Sequence, residues 1–92
     1  GRLRAGRMDA QTLHAALALA GQAGNVREAA TTLRAQMAPL RVMVVDADDM
    51  RDEPPAASDE RHHLYLGASD GHCWAITSDL AQAAGLFIAA RS

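Results

Sequence analysis

Two hydrophobic periods divide the chain. Between residues 8 and 38 the apolar positions recur every three to four residues: Leu13, Ala16, Leu17 and Ala20 make one stripe, and Val26, Ala29, Ala30, Leu33 and Met37 make a second. Each stripe is one face of an α-helix. Asp9 stands where the first helix needs an N-cap acceptor, and Gly21-Gln22-Ala23-Gly24 separates the two. Asn25-Val26-Arg27-Glu28 has the spacing of a capping box, in which the Asn side chain accepts from the Glu28 amide and the Glu reaches back. Pro39 forbids further helix, because it has no amide to donate. The pattern predicts a helical hairpin over residues 8–38.

After Pro39 the period becomes that of a strand. Val42-Met43-Val44-Val45 is a short unbroken apolar run rich in β-branched residues, which predicts an inner strand covered on both faces. Residues 46–61 then gather Asp46, Asp48, Asp49, Asp52, Glu53, Asp59 and Glu60 around Pro54 and Pro55, a composition expected to form a solvated turn and a mobile loop at about 49–61. Alternating apolar runs on either side of Ser69-Asp70-Gly71 predict a β-hairpin over 62–77. A three-residue loop would pair Leu66 with Trp74 and Leu64 with Ile76. That register puts all four on one core face and leaves Tyr65, His63, Gly67, Cys73 and Ala75 on the other. Ser78 or Asp79 caps a last helix carrying Leu80, Ala84, Phe87 and Ile88, unless Gly85 ends a short helix and releases 86–90 as a fourth strand. The expected fold is α+β: an N-terminal helical hairpin, a three-stranded mainly antiparallel sheet and a C-terminal helix.

Composition changes this picture in one respect. Of 45 hydrophobic residues 21 are alanine, which leaves 24 larger side chains, and Tyr65, Trp74 and Phe87 are the only aromatics. The core must be thin. Ninety-two residues suffice for one domain, expected over 8–92, and burial at a subunit interface would supply area the monomer lacks, so a homodimer is expected. Residues 1–7, with Arg2, Arg4 and Arg7, are read as a tag remnant or flexible N-terminal arm ahead of Met8.

Charge restricts the partners. From Met8 onward six arginines face eleven carboxylates, a net of −5, which opposes attraction to nucleic acid or to anionic lipid. No apolar run reaches the length of a membrane span, so no membrane partner and a cytoplasmic location are expected. The absence of lysine from an alanine- and arginine-rich chain suggests a GC-rich bacterial source.

Candidate chemistry is sparse. One cysteine, Cys73, rules out a disulfide framework and a multi-cysteine zinc site. On the expected hairpin His63 and His72 lie roughly 16 Å apart, and His72 and Cys73 diverge as strand neighbours. Asp46 to Ala57 lacks the glycine and terminal carboxylate of a calcium loop, having Arg51 and Ala57 there. Leu17 to Leu33 resembles the first two helices of helix-turn-helix proteins of the Fis kind, and its Gly24-Asn25 turn resembles a tetratricopeptide hairpin. Pro39 stands where a recognition helix would have to start, and no second repeat follows. No catalytic residue, metal site or cofactor is assigned.

The expected function is therefore that of a small non-enzymatic accessory or protein-interaction domain. Its contact residues are Asp46, Asp48, Asp49, Arg51, Asp52 and Glu53, and its partner is an unidentified protein. The alternative is a small-molecule-binding or enzymatic domain with a pocket between sheet and helices, using Asp46, Asp48 or His72 and completed at a dimer interface. Metal analysis tests the metal assignment: protein purified without a metal-affinity step should carry zinc far below one atom per chain, and a chelator should leave its circular dichroism unchanged.

Overall fold

The computed structural model describes residues 9–37, 40–69, 71 and 73–91. The N-terminal arm, Pro39, Asp70 and His72, on which some of the expectations above rest, lie outside the described residues. Helix α1 spans Ala10–Gln22 and helix α2 spans Val26–Gln36. Both start as their sequences require. Asp9 accepts from the Thr12 amide at 2.7 Å, and Asn25 accepts from the Glu28 amide at 2.9 Å. The returning bond of the capping box goes from the Asn25 side-chain amide, not its backbone, to the Glu28 carboxylate at 3.0 Å. Ala16, Ala20, Ala29 and Ala30 are all fully buried, so alanine is what lets these two helices approach each other and the sheet closely.

Five strands follow: β1 Arg41–Val44, β2 Ala57–Ser58, β3 His62–Ser69, β4 Trp74–Thr77 and β5 Gly85–Ala90, with a 3-10 turn over Leu80–Gln82 capped by Asp79. The class is α+β, with two helices and a mixed sheet. The sheet has five strands where three were expected, and three further differences concern the end of the chain, the place of β1 and the hairpin register. Among the described residues there is no C-terminal helix: a 3-10 turn over Leu80–Gln82 and a strand over Gly85–Ala90 stand in its place, close to the alternative of a short helix followed by a strand over 86–90. The run from Leu86 to Ala89 is buried on both faces, and a short apolar run of that kind fits the spacing of a helix and of an inner strand equally well.

The second difference is the place of β1. The order is β1-β5-β3-β2, so among the described residues β1 is an edge strand, paired with β5 in parallel, while β5 and β3 form the centre. Val44 is accordingly 42% exposed. The Arg34 side chain donates from Nε to the Val42 carbonyl at 3.0 Å, which occupies part of that open edge. The third difference is the hairpin register. Leu66 pairs with Thr77 and Ser69 with Trp74, three residues along from the expected pairing. An odd shift exchanges the faces. Trp74 and Ile76 thus join Tyr65 and Phe87, away from the helices.

β2 and β4 share the outer edge of β3: Ala57 and Ser58 pair with Leu64 and His63, and β4 begins beyond Tyr65. Part of the segment expected as a loop is therefore sheet. Both helices cover one face, over Val42, Leu64, Leu66, Leu86 and Ile88. Among the described residues the other face carries no helix. It is roofed at one end by the turn after β1, through Met50, and at the other by the Trp74 ring, which meets Phe87 edge to face at 6.1 Å.

Trp74 lies flat because Gly67 and Gly85 are opposite each other in the β3–β5 register. A methyl at Gly67 would stand 3.0 Å from Phe87 and 3.1 Å from Trp74; one at Gly85 would stand 2.8 Å from the Arg41 carbonyl. The second contact is with backbone and cannot swing away. Gly85→Ala should lower the free energy of unfolding by about 1–3 kcal/mol in urea titration. Gly24→Ala, whose methyl meets only the movable Glu28 carboxylate, should change it by less than about 0.5 kcal/mol.

Candidate functional site

The acidic segment closes directly on β1. Val45 still donates to the Ile88 carbonyl, and the chain then turns: Asp46 Oδ1 accepts from the Asp48 amide at 2.9 Å, while the Asp46 carbonyl accepts from the Asp49 amide at 3.1 Å. Met50 donates its amide to Ala47, accepts from Glu53, and buries its side chain against Tyr65, Phe87 and Ala89. Asp46 and Asp48 do not present a strand face, because β1 ends at Val44 and Asp46 uses its carboxylate to build the turn. Asp48, Asp49, Arg51, Asp52 and Glu53 are exposed around it, as is Asp46 itself. The structure thus brings all six expected contact residues onto one ledge.

Beneath the ledge is a half-open cleft of about 300 Å³. Its walls are Asp48, Arg51, Glu53 and Pro55 from the turn, His63 and Tyr65 from β3, and Arg91 after β5. Burial, with the Glu53 carboxylate second, raises the Tyr65 phenol above its usual range. His63 Nδ1 lies 2.6 Å from the Ser58 hydroxyl, its cross-strand partner, and its ring meets that of Tyr65 edge to face at 6.3 Å. A larger cavity, about 430 Å³, opens between Leu13 of α1, Leu66 of β3, the Leu80 turn and Pro54-Pro55. This second one has the location expected of a pocket between sheet and helices. It contains neither Asp46 nor Asp48, while His72 lies outside the described residues.

Sequence reasoning missed Ser58, Arg61, Arg91 and Asp59. The last three form a knot at the β2–β3 turn. Asp59 Oδ1 accepts from the amides of Arg61 (2.8 Å) and His62 (2.6 Å), and the Arg61 guanidinium donates to the Gly21 and Ala23 carbonyls at the end of α1. Arg91 donates to the Asp59 carbonyl at 2.8 Å. The Asp59-Glu60-Arg61 spacing hints at the local turn, but nothing in the chain signals a contact forty residues away. His62 is buried, and its Nδ1, 3.4 Å from Asp59 Oδ1, has no hydrogen-bond partner among the described residues. Cys73 is exposed and precedes β4 instead of lying within it. Among the described residues no group of three or more His, Cys, Asp or Glu could hold a metal, and no helix is long and apolar enough to cross a membrane.

Residues 15–91 match the model of a family of unknown function (DUF6129), and the chain belongs to that family. No curated protein and no solved structure matches it significantly.

The knot has a pH signature. Burial alone would raise the Asp59 carboxyl, but the amides of Arg61 and His62 and the nearby imidazole outweigh it and hold the group below its ordinary 3.8. A depressed carboxyl contributes stability above its unfolded value and loses it as pH falls through the folded one. Asp59→Asn keeps an acceptor for the two amides and removes the charge. The stability gap between wild type and this variant should be constant near neutrality and should narrow below about pH 4, measured as Tm against pH.

Proposed function

We propose that this protein is a small bacterial, cytoplasmic protein-contact domain without catalytic activity, and that it docks a basic partner surface on the ledge formed by residues 46–53. The carrying observation is that Asp48, Asp49, Asp52 and Glu53 are exposed on a turn already fixed by Asp46 and anchored through Met50. Carboxylates this close repel one another, and a partner bearing Arg or Lys offsets that repulsion and is steered toward it. Because the turn is formed in the free chain, little backbone ordering opposes binding. Arg51, at the middle of the ledge, fixes the orientation of the incoming surface.

A second reading has its own support. The same turn walls a cleft that also presents His63, Tyr65 and Arg91, so a small polar ligand could be held there, in a domain that binds or transforms it.

The two readings separate experimentally. Replacing Asp48, Asp49 and Asp52 by Asn and Glu53 by Gln should preserve the circular dichroism spectrum. It should weaken binding to a partner isolated from the native host by about tenfold or more, with most of the loss in association rate. Cys73→Ser should leave binding unchanged. Abolition by the cysteine variant, with the neutralised ledge still binding, would replace the contact reading with an enzymatic one.

A further inference from the structure

We propose that the helix-free face of the sheet is a self-association surface, on which a second copy of this chain packs with its strands reversed, so that Arg41 of each copy meets the acidic ledge of the other. The inference rests on the contact reading above and names the basic surface as one supplied by the chain itself.

Three observations lead there. The face is apolar and only partly roofed: Phe87 is buried, but Met43, Trp74 and Ile76 beside it are half-exposed, although a folded chain with so few large side chains gains most by covering them. The charges at its two ends are opposite. Arg41 opens β1 and is exposed on the face of Met43 and Val45, whereas the ledge carrying Asp48 and Asp49 closes the same strand. A two-fold axis lying between the stacked sheets and running across the strands superposes each cationic end on the other copy's anionic end, twice per dimer. A parallel stacking would place like on like.

The third observation removes the competing mode. β1 is an edge strand, so a second copy could in principle add there as another strand. That edge is already engaged by Arg34, which holds the Val42 carbonyl, and a strand arriving at this position would have to displace it. Packing face on face requires no such loss: the acidic crossing of each copy seats at the Arg41 end of the other, and Met43, Trp74 and Ile76 are covered between them.

Light scattering at high micromolar concentration should give twice the 9.7 kDa of one chain. Arg41→Glu alone, and Asp48→Arg with Asp49→Arg alone, should each raise the dimer dissociation constant by about tenfold or more with the fold intact by circular dichroism. Mixing the two variants should restore a dimer, because one contact then pairs the two reversed charges and the other the two native ones. A wild-type mass of 9.7 kDa overturns the proposal, as does a dimer indifferent to Arg41→Glu. A dimer lost with Val44→Asp but kept with Arg41→Glu places self-association at the β1 edge and equally overturns it. Partner binding is scored separately: a monomeric wild type that still binds its partner through the ledge refutes this surface and leaves the contact reading standing.

Discussion

The pairing of β3 with β5 is the constraint on which everything else depends. Six consecutive residue pairs, from His62 with Ala90 to Gly67 with Gly85, align two strands that are nearly continuous in apolar side chains. Leu64, Leu66, Leu86 and Ile88 then form a floor for the two helices, while Tyr65, Phe87 and Ala89 form the opposite surface. Once the pair exists, β1 has one place to go, beside β5 and parallel to it, because the α-helical hairpin that precedes β1 rests on the floor. The chain leaving β1 must cross the other surface to reach β2 on the far side of β3. That crossing is the acidic segment.

This explains how residues with no capacity to bury themselves come to occupy a defined position. A stretch with five carboxylates between 46 and 53 would ordinarily stay solvated and irregular. Here Met50 is the only large apolar side chain within it, and it is buried against the aromatic residues of the central strands. One buried methionine, one carboxylate bonded to the Asp48 amide and the turn's own backbone bonds hold the remaining charges outward.

The helical hairpin was legible in the sequence because every determinant is local: the stripe spacing, Asp9, and the Asn25-Glu28 cap all act within four residues. The sheet was legible only as a set of strands. Which strand lies inside depends on pairing between residues far apart in the chain, as Arg41 with Gly85 shows, and no local period encodes that. The last strand was misjudged as helix for the same reason: Leu80, Ala84, Phe87 and Ile88 satisfy a helical face, and only the empty position beside β1 decides otherwise. The site was half legible. The charged ledge stands out in composition, but the cleft beneath it needs His63, Tyr65 and Arg91 brought in from β3 and the end of β5. The face of Trp74 turned on the hairpin register alone, and packing of Phe87 against the indole over two glycines won over a register chosen for core coherence.

The seat of that indole gives the molecule an intrinsic optical reporter. The chain has a single tryptophan, and it rests on Gly67 of β3 and on Gly85 of β5, the residue that pairs with Arg41 of β1. Its emission therefore senses the junction of three strands that come from distant parts of the chain, and it is silent about α1 and α2, which lie behind the sheet. Far-ultraviolet dichroism, dominated by those helices, senses the reverse. If helices and sheet melt as one unit the two signals must superimpose at every denaturant concentration, and any separation between them measures how loosely an alanine-built helical layer is fastened to the sheet beneath it.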